Sequence, residues 1–117
     1  MVTPAAGSVV LVPFPFSDLA QAKLRPAIVL ADAGRGDWIL CQVTSNPYTD
    51  GRAIALTEVS FIEGSLLIKS YARPGKLFTA SQKLIISQAG VLKASAFQEI
   101  VEAVIAIFRN ALASESQ

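Results

Sequence analysis

Apolar residues change their spacing about two-thirds of the way along this 117-residue chain, and that change limits the folds open to it. Upstream they come in short continuous runs, each stopped by Pro or Gly, which is strand length and strand punctuation. Downstream they recur every three or four residues, the period of one helix face. Val9 to Val12 is an aliphatic run, after which Phe14 and Phe16 alternate with Pro13 and Pro15. Proline has no N–H to give a ladder, so this strand loses a partner there and becomes an edge or leads into a loop. Pro26 opens Ala27-Ile28-Val29-Leu30, continuous enough to be covered on both faces. Ala33-Gly34-Arg35-Gly36-Asp37 is a turn, and Trp38 to Thr44 follows directly, so the two strands form a hairpin.

Asn46-Pro47 and Asp50-Gly51 punctuate a loop before a short strand, Ala53 to Leu56. Leu66 to Arg73 is expected as another strand, stopped by Pro74-Gly75, and Leu84-Ile85-Ile86 as a last one. Ser95 with Gln98 has the pattern of a capping box. Phe97, Ile100, Val101, Val104, Ile105, Phe108, Ala111 and Leu112 then line one face of a helix of about 17 residues, ending near Ala113, with the last four residues frayed. The expected fold is mainly β (α+β): five or six short antiparallel strands in a small curled sheet or barrel, closed by one C-terminal amphipathic helix. No internal repeat or linker divides the chain, so residues 1–117 are expected to be one domain with its core over about 7–113.

Composition narrows the chemistry. Apolar residues make up 52% and charged ones 16%, which argues for a packed core rather than a disordered tail. Ten Lys and Arg against nine Asp and Glu exclude a broadly basic nucleic-acid wrapper but leave room for a local basic cleft. There is no histidine, which removes His acid–base catalysis, Ser-His and Cys-His pairs and every His-containing zinc site. Cys41 is alone, so no internal disulfide forms; it reads as a small core residue in a reducing, cytoplasmic setting. Neither a signal peptide nor a run of 18 apolar residues is present, and a soluble intracellular protein without a membrane partner is expected. No Gly-rich phosphate cradle occurs, and Gly34-Arg35-Gly36-Asp37 reads as a hairpin turn rather than an adhesion string.

The polar residues at strand ends are what remains. Lys23 and Arg25 precede Pro26, and Thr44 and Ser45 end the strand expected beside it. In an antiparallel pair the start of one strand lies beside the end of the next, so Arg25 and Thr44 can share one sheet edge. A guanidinium offers phosphate a planar two-pronged fork and a hydroxyl adds a small donor, a combination suited to a phosphodiester. A solvated turn is the plainer account of Lys23-Leu24-Arg25-Pro26 taken alone. Trp38 and Tyr71 have rings that could stack on bases, against the plainer account that they pack.

The segments Gly7 to Phe16, Lys23 to Leu30, Val43-Thr44-Ser45 and Arg73 to Thr79, with the terminal helix, match the MazF/PemK toxins of toxin–antitoxin pairs in order and spacing. The resemblance covers residues 7–112. It implies an SH3-like barrel of the CcdB/MazF type, a homodimer, a cognate antitoxin partner, and an endoribonuclease that cuts single-stranded mRNA at short sequences without metal or other cofactor. It implies that Arg25 is the main catalytic cation and Thr44 the hydroxyl beside the scissile phosphate. Ser45, Arg73, Lys23, Asp18 and Tyr71 would make up the RNA-binding set. Ser8, Ala20 and Gly75 stand where relatives often carry an acid, which leaves the general base open; Asp18 is the nearest acidic candidate and also fits a turn. Two other readings are compatible with these residues: a non-catalytic CcdB-like toxin, though Ser114 to Gln117 lacks the Trp-Gly-Ile ending of that branch, and a family member that has lost catalysis.

Overall fold

A computed structural model of the chain describes residues 3–15 and 22–115. The strands are β1 (Ser8–Pro15), β2 (Ala22–Gly34), β3 (Asp37–Thr44), β4 (Ile54–Leu56), β5 (Phe61–Gly64), β6 (Ser70–Ser81) and β7 (Ser87–Leu92), followed by the helix α1 (Ala94–Glu115). All seven strands join one antiparallel sheet in the order β4-β6-β3-β2-β1-β7-β5, curled into a half-barrel. This is the mainly β fold with one C-terminal helix expected from the sequence.

The continuous apolar runs do cover two faces. Val9, Ile28, Cys41 and Val43 belong to one core with Phe61, Leu92 and Ile100 of the helix. Their neighbours Val10, Val12, Ala27, Val29 and Leu40 turn the other way and pack with Ala80, Ile85 and the half-buried Trp38. Alternate side chains thus enter opposite cores, because successive residues of a strand point to opposite faces. The β2–β3 hairpin forms as expected, with Arg35 (φ 57°) and Gly36 (φ 80°) as its two central residues. Positive φ at both matches the right-handed twist of the strands. Prolines occupy stretches with a single ladder: β1 pairs with β7 only from Ser8 to Leu11, so Pro13 and Pro15 keep β2 alone. Pro26 pairs with Leu11 and lies beyond the last β2–β3 pair, Ala27 with Gln42.

Several sequence expectations need correction. β2 does not open at Pro26 but at Ala22. Leu66 to Lys69 is not strand, and Pro74-Gly75 does not stop β6, which continues to Ser81. The β3–β6 register jumps from Cys41–Leu77 to Val43–Ala72, so residues 73–76 bulge from the ladder and Pro74 needs no N–H partner there. Leu84 ends a 3₁₀ turn, Gln82–Leu84, whose Lys83 N–H donates to Ser81 Oγ, and β7 begins only at Ser87. β5 was missed because Phe61-Ile62-Glu63-Gly64 is short and interrupted by charge. The capping box is absent: α1 starts at Ala94, Phe97 N–H donates to Lys93 O, and Gln98 Nε2 donates to Glu102 Oε1. Lys93 N–H is held by Ser60 O at 2.8 Å, so the chain passes from β7 into the helix with no free turn for a side-chain cap. On the apolar face only Ile100 is fully buried, whereas Ile105, Phe108 and Leu112 are exposed.

The β5–β7 edge needs glycine at two facing positions. Gly64 has φ +67° and meets the Ala89 carbonyl, while a Cβ on Gly90 would lie 2.6 Å from Glu63 O and 2.8 Å from the Phe61 ring. Gly90→Ala should therefore overpack this edge and lower stability by about 1–3 kcal/mol. The check is a lower urea midpoint at unchanged m-value.

Candidate functional site

The β2–β3 register decides which polar groups meet. Ala27 faces Gln42, and continuing that antiparallel count two residues puts Arg25 opposite Thr44, just past the last ladder pair. On the other side of β3, Thr44 pairs with Tyr71 and Val43 with Ala72, after which the bulge in β6 carries Arg73 and Lys76. A bulge re-aims side chains that a regular ladder would leave in its plane. Its backbone is held from the core: buried Cys41 donates its Sγ hydrogen to Arg73 O at 3.3 Å. Burial pushes that thiol up to about 12, so Cys41 stays protonated and is no nucleophile.

These residues wall a cavity of about 300 Å³, lined by Arg25, Gln42, Thr44, Tyr48, Arg73 and Lys76 over an apolar floor that includes Phe78. A second cavity, about 320 Å³, shares Tyr48, Arg73 and Lys76 and adds Asp50 and Arg52. A third, about 400 Å³, shares Arg25, Val43 and Thr44 and is mostly apolar, with Leu24, Leu66 and Leu67 beside Ser45 and Ser65. With shared walls the three form one groove. Among the described residues four cations, Arg25, Arg52, Arg73 and Lys76, line it against one carboxylate, Asp50. A nearly neutral chain thus gathers four of its ten Lys and Arg in one groove.

The sequence reading placed Arg25, Thr44 and Arg73 on this groove, and the fold brings all three to it. Ser45 is exposed and lines the apolar cavity. Lys23 is exposed on β2 opposite Phe14, and neither it nor Tyr71 lines the three cavities. Tyr71 is half-buried, with Lys69 Nζ 5.7 Å from its ring centre. Asp18 lies outside the described residues, as does Ala20. Trp38 packs against the second core rather than toward the groove. Thr44 Oγ1 accepts the Asn46 N–H at 3.2 Å and donates to Asn46 O at 3.1 Å, so its hydroxyl also starts the β3–β4 loop. Among the described residues no group of three or more Asp, Glu, Cys or His side chains could hold a metal ion, and no helix is long and apolar enough to cross a membrane.

Sequence reasoning missed Asp50 and Tyr48. Asp50 was noted only as a turn signal, yet its Oδ2 accepts Arg73 Nε at 2.8 Å and its Oδ1 accepts the Arg52 N–H at 2.9 Å. Both side chains of the pair are largely shielded, 19% exposed for Arg73 and 15% for Asp50. The Arg73 hydrogen bond first, and the Arg52 N–H second, hold the Asp50 carboxyl below the usual carboxylate range. The folded form therefore binds this proton less readily than the unfolded chain. The stabilisation is complete above the unfolded value of about 4 and fades as pH falls through the lower folded one. Asp50→Asn should cost about 1 kcal/mol at neutral pH, with the gap to wild type closing in acid below about pH 4, read from urea midpoints.

No curated protein matches the sequence. Solved structures do. The MazF of Deinococcus radiodurans superposes with a TM-score of 0.70 at 20% identity, covering 92% of this chain and 98% of that one. The Mycobacterium tuberculosis toxin MazF-mt6 gives 0.68 at 16%, over 87% and 96%. A mycobacterial endoribonuclease solved with its cognate antitoxin gives 0.65 at 12%, over 89% and 91%. At these identities the likeness speaks for the fold, the MazF-type half-barrel with its terminal helix. The family model described as "PemK-like, MazF-like toxin of type II toxin-antitoxin system" matches residues 5–108, the whole sheet and most of the helix, and the chain belongs to that family.

Proposed function

We propose that this chain is a single-domain toxin that cuts single-stranded mRNA, acting in the cytoplasm and held in check by a cognate antitoxin. The observation that carries this is the groove in which Arg25 and Thr44 stand opposite each other while Arg73 and Lys76 face them from β6. RNA brings its own nucleophile. The 2′-oxygen attacks the adjacent phosphorus, the P–O5′ bond breaks, the 2′-hydroxyl proton leaves to a base and the 5′-oxygen gains a proton. The products are a 2′,3′-cyclic phosphate and a 5′-hydroxyl. The protein has to hold the phosphate, neutralise the charge that builds on its oxygens and manage two protons. Arg25, with Arg73 beside it, suits the charge, and the Thr44 hydroxyl suits the positioning; neither task calls for a metal. Ser45 and the exposed Lys23 would touch flanking nucleotides, with Tyr71 and Asp18 as the remaining members of the proposed RNA-binding set.

The same positive groove suits an acidic antitoxin segment, whose carboxylates would occupy the places of RNA phosphates and so block access to Arg25. A homodimer is proposed as well. Ile105, Phe108 and Leu112 form an exposed apolar stripe at helical spacing on α1, the kind of face a second copy of the chain covers. At micromolar concentration the protein should sediment as a dimer, and Phe108→Asp should release monomer.

Arg25→Ala should slow single-turnover RNA cleavage about 10²-fold or more, the scale of losing one donor to a developing oxyanion. Arg25→Lys should recover little, because an ammonium does not reproduce the fork. Thr44→Ser should keep most of the rate and Thr44→Val should not. With no histidine to titrate, the pH–rate profile should lack any limb near pH ~6.5. Unimpaired cleavage by Arg25→Ala would remove the active-site assignment.

A further inference from the structure

Tyr48 stands at the tip of the β3–β4 loop with 74% of its surface exposed, so its ring contributes almost nothing to either core. It nevertheless adopts φ +58°, a left-handed conformation that a bulky residue avoids. Glycine or asparagine would take that conformation more cheaply. The loop is braced to hold it. Asn46 Oδ1 accepts the Tyr48 N–H at 2.9 Å, Asn46 is tied to Thr44 Oγ1, and Asp50 N–H donates to Pro47 O at 3.0 Å. On the far side, Asp50 is locked to Arg73. Both anchors of the loop are thus groove residues, and Tyr48 lines the two cation-rich cavities, between Arg25 and Thr44 on one side and Arg52 on the other.

We propose that Tyr48 is a stacking platform for one unpaired nucleobase of the RNA, next to the phosphate held by Arg25 and Arg73, a proposal that rests on the ribonuclease reading above. An exposed aromatic among cations is the arrangement that binds single strands, the cations taking phosphates and the ring taking a base face. The braced left-handed backbone keeps the ring presented before RNA arrives, which lowers the ordering cost of binding. Asp50 is the positioning residue of this device, since it ties the tip of the loop to Arg73.

The test is binding of a short, fluorescein-labelled, mixed-sequence RNA carrying 2′-O-methyl groups throughout, which cannot be cleaved. Stacking is worth about 1–3 kcal/mol per base, so Tyr48→Ala and Tyr48→Gly should weaken binding about 5- to 150-fold. Tyr48→Phe should bind like wild type. Tyr48→Gly separates the platform from a structural role: it relieves the backbone strain, so its thermal midpoint should hold or rise while its affinity falls. On a cleavable RNA the loss should appear in KM, with kcat at saturation nearly kept. Unchanged affinity for Tyr48→Gly, or equal losses for Tyr48→Phe and Tyr48→Ala, would overturn the platform. A wild type that binds the methylated RNA but leaves unmodified RNA intact would overturn the ribonuclease reading alone, with the platform still decided by the binding series.

Discussion

Between Cys41 and Val43 the β3–β6 ladder skips from Leu77 to Ala72, so that one residue of β3 stands against four of β6. The β6 wall of the groove, Arg73 and Lys76, depends on that skip. Without it Arg73 and Lys76 would continue the regular alternation of a central strand, and Pro74 would remove a needed ladder hydrogen bond. With it, the four residues swing clear of the pleat, Pro74 is buried at no cost in hydrogen bonding, and two cations arrive opposite Arg25. The bulge is secured from beneath by the Cys41 thiol on Arg73 O and from above by the Asp50 carboxylate on Arg73 Nε. A residue that looked inert in the sequence therefore supports the back of the site.

The electrostatics follow from this geometry. Four cations converge on one groove of a chain whose formal charge is only +1, and among the described residues the facing carboxylate, Asp50, is spent on fixing Arg73. An anionic chain meets a localised field rather than a uniformly basic surface, which favours recognition of a few phosphates over wrapping of a long polymer. The apolar cavity beyond Arg25 and Thr44 continues the groove where a base or an apolar side chain, not a phosphate, would be the better tenant.

Much of this was legible in the residues. The continuous run Ala27 to Leu30 announced two covered faces, and the hairpin around Gly34-Arg35-Gly36-Asp37 put Arg25 and Thr44 together by counting alone. The misreadings share a cause. Pro74-Gly75 looks like a strand stop unless a partner strand is known to skip there, and Ser95 looks like a cap unless Lys93 is known to be held by Ser60. Asp50 and Arg73 are 23 residues apart, and nothing local couples them. Tyr48 escaped notice because a ring in a loop has no periodicity to betray it; its positive φ belongs to the tertiary structure. Loops carry function on a scaffold whose sequence signals concern packing.

The most direct measurement of the central claim is the chemistry of the cut itself. The purified protein is given a mixed-sequence RNA in EDTA, alongside the same sequences as DNA, and the ends of any products are identified. Cleavage of RNA alone, in chelator, leaving 2′,3′-cyclic phosphate and 5′-hydroxyl ends, is the predicted result. Intact RNA, cleavage only when divalent metal is restored, or equal cleavage of the DNA would contradict it.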